Sequence, residues 1–224
     1  SKLNPVFQFS FQPVLVLLWV GLLTYGVFIP LLNYFWDDLA IHWIAEVYGS
    51  AGLTRYFSTN RPVWGWFYQL TPSILGDNPW HWQAFGLFWR WAASTGLYFL
   101  LRQLWRDQKE PALWAALLFM VYPGFAQQYI AMVYGHFFLI QSAFFYSLGF
   151  TLYAIRNPQR KYLFHGAALI LSAVNLFSME YFFMLELLRP LLIGITLRNQ
   201  EPGKPKLLKR TVILWGSYLL LFLT

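Results

Sequence analysis

Two adjacent aspartates, Asp37 and Asp38, close a long apolar run in a chain where only 11% of residues are charged. Carboxylates held beside apolar surroundings are partly desolvated. Desolvation raises a carboxylate's pKa toward the range of a general base that takes a proton from a hydroxyl. The same residues also serve as helix N-caps, so one cap and one solvated carboxylate is the plainer alternative. Asp38, His42 and Glu46 recur every four residues and share one stripe of a helix, a spacing that suits a divalent metal. An amphipathic helix carrying Leu39, Trp43, Ile44 and Val47 needs a polar stripe in any case. Asp37 lies about 100° round from that stripe, so one helix face cannot present both aspartates equally.

The cations complete the set. Arg90 falls about 11 residues into an apolar run that starts at Pro79, roughly 16 Å along a helix. An arginine at that depth snorkels outward, or needs a water-filled cavity or an anionic partner. Glu180 and a lipid phosphate are the partners to consider. Arg55 and Arg61 are the only basic residues between positions 36 and 78. They suit a phosphate leaving group through charge-assisted hydrogen bonds, or lipid headgroups. His136 opens another apolar run as an interfacial histidine. Glu186 and Arg189 have the spacing of an ion pair within one helix. Without cysteine there is no disulfide framework, thiolate metal site or cysteine nucleophile.

The elements that must position these residues are membrane helices. Of the 224 residues 58% are hydrophobic and 21% aromatic, a membrane composition. Apolar runs cover Pro13–Phe35, Pro79–Leu101, Ala112–Tyr122, His136–Ile155, Tyr162–Phe177, Tyr181–Leu197 and Thr211 to the end. The reading is an all-α polytopic helix bundle of about seven transmembrane segments, one transmembrane domain over residues 1–224. The net charge of +7 sits in clusters after the second, fourth and sixth runs, which argues against nucleic acid as a partner. Those clusters place the N-terminus on the cytoplasmic side and residues 36–78 in an outer loop. Within that loop an aspartate is expected to cap a helix to about Tyr48, with Gly49 to Gly52 stopping it. Asn60-Arg61-Pro62 starts a second helix to about Leu70, and Asn78-Pro79 the next membrane helix. The third run, about 17 Å of helix, either passes Pro123 or stops short inside the protein. The last run is short as well, and the sequence reads as the N-terminal part of a longer protein.

An outer Asp37-Asp38, then Arg61-Pro62, then "GDNPWHWQAFGLFWRW", then "ALLFMVYPGFAQQYIAMVYGHFFL" is an ordered set. From about Pro13 to Leu139 it resembles the GT-C fold integral-membrane glycosyltransferases, especially bacterial relatives of the protein O-mannosyltransferases that use polyprenyl-phosphate sugars. The resemblance implies that Asp37 is the base, matching the leading residue of that family's acidic pair, with Asp38 tuning it. It matches Arg61-Pro62-Val63 to the family's Arg-Pro-Leu and Asn78-Pro79 to its Asn-Pro. Tyr122-Pro123 stands where the family has His-Pro, a departure that removes the histidine.

The function so implied is inverting transfer of a sugar from a polyprenyl-phosphate donor to an acceptor hydroxyl on the outer face of a bacterial inner membrane. Arg61, Arg55, Arg90 and His136 would border the substrate, membrane lipids would be partners, and no cofactor is required beyond a possible divalent metal on Asp38, His42 and Glu46. A non-catalytic accessory subunit of a larger membrane complex fits the same composition, with His136 then a ligand for a pigment or haem. A transporter would need paired broken helices, and the sequence offers one break, at Tyr122-Pro123-Gly124. The enzyme reading expects Asp37, Arg61 and Arg90 to line one outer-face cleft.

Overall fold

The structure is a computed structural model describing residues 11–59, 61–200 and 207–223. Among them every regular element is helical. Helix α1, Phe11–Thr24, continues through a 3₁₀ segment, Gly26–Leu31. Then come α2, Asp37–Phe57, and α3, Pro62–Leu75, followed by α4, Pro79–Leu104, and α5, Lys109–Met120. Next are α6, Ala131–Arg156, and α7, Lys161–Ser178, joined by a 3₁₀ turn, Pro158–Arg160. A 3₁₀ stretch, Glu180–Leu187, leads into α8, Leu188–Gln200, and α9 is Leu207–Leu223.

Two of these segments are long and apolar enough to cross a membrane, Phe11–Leu31 and Ala131–Arg156. They support membrane association, and they narrow the seven crossings expected from the sequence. Helix α4 has 26 residues, but Gln83, Arg90, Ser94, Thr95 and Gln103 dilute its apolar character. In α7 the diluting residues are Lys161, His165 and Asn175. Helices α5, α8 and α9 have 12, 13 and 17 residues, below the roughly 20 needed to span. The third run stops at Met120, the shorter of its two expected outcomes. The sixth run is not one helix, because its first half winds as 3₁₀.

Local signals between residues 36 and 78 act through their own backbone chemistry. Gly49, at φ +69°, breaks α2 into two helical halves while the chain continues helical to Phe57. Pro62 occupies the first turn of α3 with Arg61 at its N-cap, while Asn60 lies outside the described residues. Gly76, at φ +66°, ends that helix later than the expected Leu70. The Asn78 side chain accepts from the Trp80 N–H at 2.9 Å and caps α4, as its sequence position predicts.

The centre of the molecule is α4 against α6, running in parallel. Near their starts a Cβ at Gly135 would lie 2.7 Å from the Phe85 ring and 3.3 Å from the Gly86 Cα. Further down, one at Gly149 would lie 2.5 Å from the Phe99 ring. Small residues let two helix backbones approach where lipid gives no hydrophobic drive to pair them. Around this seam one apolar cluster gathers Leu53, Phe57, Trp64, Tyr68 and Trp82 from α2, α3 and α4. A second joins Leu17, Leu87 and Met120 of α1, α4 and α5. The starts of α2, α4 and α6 therefore share one end, and the arginines that close α4 and α6 lie at the other.

Candidate functional site at the aspartate end

Neither aspartate caps α2 as the sequence suggested. Trp36 holds the N-cap position at φ +50° and ψ −120°, with no side-chain cap bond, and Asp37 and Asp38 form the first turn. A positive φ is a strained backbone for a bulky residue, and it occurs directly before the acidic pair. Successive helix positions point about 100° apart, so the two carboxylates take different directions. Asp37 is exposed, whereas Asp38 is fully buried, with its Oδ1 accepting from the Val133 N–H at 3.2 Å. Asp38 thus caps α6, far away in sequence, where the helix dipole favours an anion. Its Oδ2 has no partner. Burial pushes the Asp38 carboxyl up to about 7, against the opposing pull of the Met132, Val133 and Ala131 N–H groups.

The surroundings of the pair are tied down. Tyr34 Oη donates to the Asp77 carbonyl at 2.7 Å. Gln83 Nε2 donates to the Tyr129 carbonyl at 2.7 Å and reaches the Asn33 carbonyl at 3.4 Å. These bonds join the chain before α2, the start of α4 and the loop before α6, which fixes the height of the aspartates. Nothing in local sequence marks Gln83 for this work, since its partners are backbone carbonyls at remote positions.

Arg90 is 1% exposed. It faces neither Glu180 nor any other carboxylate. Its Nη1 donates to Gln128 Oε1 at 2.8 Å, and its guanidinium lies over the rings of Tyr25, Phe125 and Phe138 at 4.3, 5.3 and 5.3 Å. Its Nε–H has no partner. The residue lines a cavity of about 450 Å³ walled by Phe119, Tyr134, Phe137, Gln141 and Phe182 among others. Cation–π contact makes a charge tolerable in such a place without neutralising it.

Glu180, one of the two anionic partners considered for Arg90, belongs instead to Arg61. Its carboxylate accepts from Arg61 Nε at 3.1 Å and pairs with Nη2, and Tyr181 packs on the guanidinium at 5.4 Å. Arg61 thereby pins the start of α3 to the 3₁₀ stretch after α7. Of the three residues expected to share one cleft, Asp37, Arg61 and Arg90, only Arg90 lines the aromatic cavity. Tyr134, which lines the Arg90 cavity, lies within electrostatic reach of Asp37. The Tyr181 ring under Arg61 stacks on Phe137 of the same cavity, with centroids 6.1 Å apart. Asp37 and Arg61 do not line the cavity themselves: Asp37 is exposed and Arg61 is committed to Glu180.

The remaining candidates are placed elsewhere. Arg55 is exposed in a separate depression of about 770 Å³ with Trp43, Tyr48 and Tyr56, beside the Gly49 kink. His136 is fully buried, with Nδ1 on the Met132 carbonyl at 2.6 Å and Nε2 on Thr71 Oγ1 at 3.1 Å. Both ring nitrogens are engaged, so it latches α3 to α6 inside the aromatic cluster. His42 stacks on Tyr34 at 4.3 Å and lies 3.9 Å from Glu46, while the Asp38 carboxyl turns away to α6. Among the described residues no group of three His, Cys, Asp or Glu side chains could hold a metal ion. The stripe breaks because Asp38 is drawn to the α6 amides.

No family model, curated protein or solved structure matches this chain. The case for any activity therefore rests on the geometry of the aspartate end.

Proposed function

We propose that the protein is a membrane glycosyltransferase that moves a sugar from a polyprenyl-phosphate donor to an acceptor hydroxyl at the aspartate end. The observation that carries the proposal is a buried arginine, Arg90, that lines an aromatic cavity and has no carboxylate partner among the described residues; the exposed Asp37 lies within electrostatic reach of Tyr134, which lines the same cavity. Asp37 takes the hydroxyl proton as the acceptor oxygen bonds to the anomeric carbon. The bond from that carbon to the phosphate oxygen breaks, its electron pair leaves with the lipid phosphate, and the configuration inverts. Arg90 meets the charge gathering on the phosphate, a role that in a dry site is worth about 3 kcal/mol by comparison with loss of one oxyanion donor. Asp38 orients its neighbour by holding the first turn of α2 on α6. Arg61 acts through Glu180 as a brace.

The aromatic cavity suits the lipid end of such a donor, which would arrive from the bilayer. A multi-pass topology in a bacterial inner membrane, with a cytoplasmic N-terminus, belongs to the same proposal. It is supported by the arginines at the ends of α4 and α6, far from the aspartates. The test is transfer from radiolabelled polyprenyl-phosphate sugars by the purified full chain in lipid nanodiscs. Asp37→Asn should abolish transfer with folding intact, and full activity in that variant would overturn the assignment.

A further inference from the structure

Helix α2 carries apolar side chains on two opposite faces. Ile41, Leu53 and Phe57 are buried in the cluster that joins α2 to α3, α4 and α6. On the far side of its first half Leu39, Trp43 and Val47, with Trp36 just before them, are all exposed. Positions 39, 43 and 47 fall within about 80° of one another round a helix, so they form one stripe. A helix packed on one side and bathed in water on the other keeps its outer face polar, and this one does not.

The kink adds a cation to that face. Gly49 separates the two halves of α2, and a concavity of about 770 Å³ lies between Trp43 and Tyr48 on one half and Arg55 and Tyr56 on the other. The second half is seated on α3, where a Cβ at Gly65 would lie 3.2 Å from the Thr54 Cα. Arg55 is exposed and pairs with no carboxylate among the described residues. Of the undescribed residues only Glu201 is acidic, and it follows α8, whose Leu197 shares a cavity with Ile155 near the opposite end of α6.

The chain also fixes the height of α2. The membrane-length segment Phe11–Leu31 ends five residues before Asp37. Fully extended, that linker reaches about 18 Å. Asn33 and Tyr34 within it are tied to Gln83 and the Asp77 carbonyl at the start of α4. Helix α2 therefore begins close to where the segment leaves the bilayer, although it is not itself apolar enough to cross. Tryptophan, tyrosine and a snorkelling arginine on an outward apolar face are what the headgroup zone favours.

We propose that the exposed face of α2 docks in the phospholipid headgroup layer, with Leu39, Trp43 and Val47 at the acyl boundary and Arg55 on a lipid phosphate. Lipid is the occupant because the short linker holds this face at the bilayer, where apolar depth and phosphate lie together. The placement stands whether or not the chain transfers sugar.

The chain has no cysteine, so Leu39→Cys, Val47→Cys and Tyr56→Cys each take a single nitroxide label. The test reads label collisions with oxygen, which concentrates in lipid, and with a water-soluble nickel chelate, by electron paramagnetic resonance. The full chain is placed in vesicles of phosphatidylcholine and phosphatidylglycerol. Leu23→Cys, exposed on the membrane-length segment, and Asp107→Cys, exposed after α4, supply the lipid and water references. Labels at 39 and 47 should collide with oxygen as at 23, and with nickel several-fold less than at 107. Arg55→Glu should raise nickel collisions at 56 by about twofold, and Arg55→Lys should not. Nickel collisions at 39 and 47 matching those at 107 would put the face in water, and shielding from both reagents would put it against protein, a second copy included. Either result overturns the docking, and no response to Arg55→Glu overturns the phosphate contact. Circular dichroism follows folding, and Arg55→Gln replaces Arg55→Glu should that variant unfold.

Discussion

Arg90 and Arg189 are both sealed inside the helix bundle, at 1% and 0% exposure, yet the protein treats them in opposite ways. Arg189 spends all five of its N–H donors. It pairs with both carboxylate oxygens of Glu186, with the Ser147 carbonyl and hydroxyl and with the Thr151 hydroxyl, over the Tyr218 ring at 4.0 Å. Arg90 makes one hydrogen bond, to Gln128, and leaves its Nε–H bare amid three rings. A charge matched from within has nothing left to offer a ligand. One that is only sheltered keeps its attraction for an anion, and the cavity beside it gives the anion room.

The difference can be broken first at Glu186. Removing one partner of a buried pair strands the other charge, which costs about 3–5 kcal/mol. Glu186→Ala should therefore lower Tm in detergent by about 10 °C, while Glu186→Leu with Arg189→Met should recover most of the loss. An unchanged Tm in the single variant would mean that Arg189 is not held as described. Next is Arg90→Met, which removes a charge with no ion-pair partner to strand. Its Tm should hold or rise, while transfer from a lipid-phosphate sugar falls by about 10²–10³-fold. A stability loss matching that of Glu186→Ala would make Arg90 a structural post.

How legible this contrast was in the sequence depends on the reach of each interaction. The Glu186 to Arg189 pair was readable because three residues separate its members, although the 3₁₀ winding that carries Glu186 was not. Pro62, Asn78 and Gly49 act on backbone within two residues of themselves, and each did what its chemistry predicts. Asp38 looked like a local cap, or one ligand of a stripe. Its true partner, the start of α6, lies 95 positions away and exists only once α2 folds back on that helix. The same distance problem gave Glu180 to Arg90 when it belongs to Arg61, 119 positions away. Seven apolar runs exceed the two membrane-length segments because the third run stops at Met120, the sixth begins as 3₁₀ and others carry polar residues at helical positions.

Asp38 sharpens the contrast from the aspartate end, where Oδ2 is another unmatched atom. Its carboxyl titrates near 7 when folded and near the ordinary value of about 3.9 when unfolded. Between those values the folded state binds the extra proton, so stability is greatest at low pH and falls as pH rises through about 7. Between pH 5 and pH 8 the loss should be about 2 kcal/mol, read as a falling Tm. Asp38→Asn keeps an oxygen to accept from the Val133 N–H but does not titrate. It should flatten that dependence, and an unaltered slope would move the titration to another group.

The smallest effect is expected at Asn78, which serves as an internal control for the aspartate end. It is a satisfied cap, with its side chain on the Trp80 N–H at 2.9 Å and water available to the helix start when that bond is lost. Asn78→Ala should cost about 1 kcal/mol, and Asn78→Asp should restore it, because the replacement carboxylate also accepts from a helix N-terminus. Neither change should alter the pH slope ascribed to Asp38. If Asn78→Ala proved as costly as Glu186→Ala, the start of α4 would be a site of concentrated strain, and the division between a self-neutralised region around Arg189 and an unmatched one around Arg90 would have to be redrawn around that helix end.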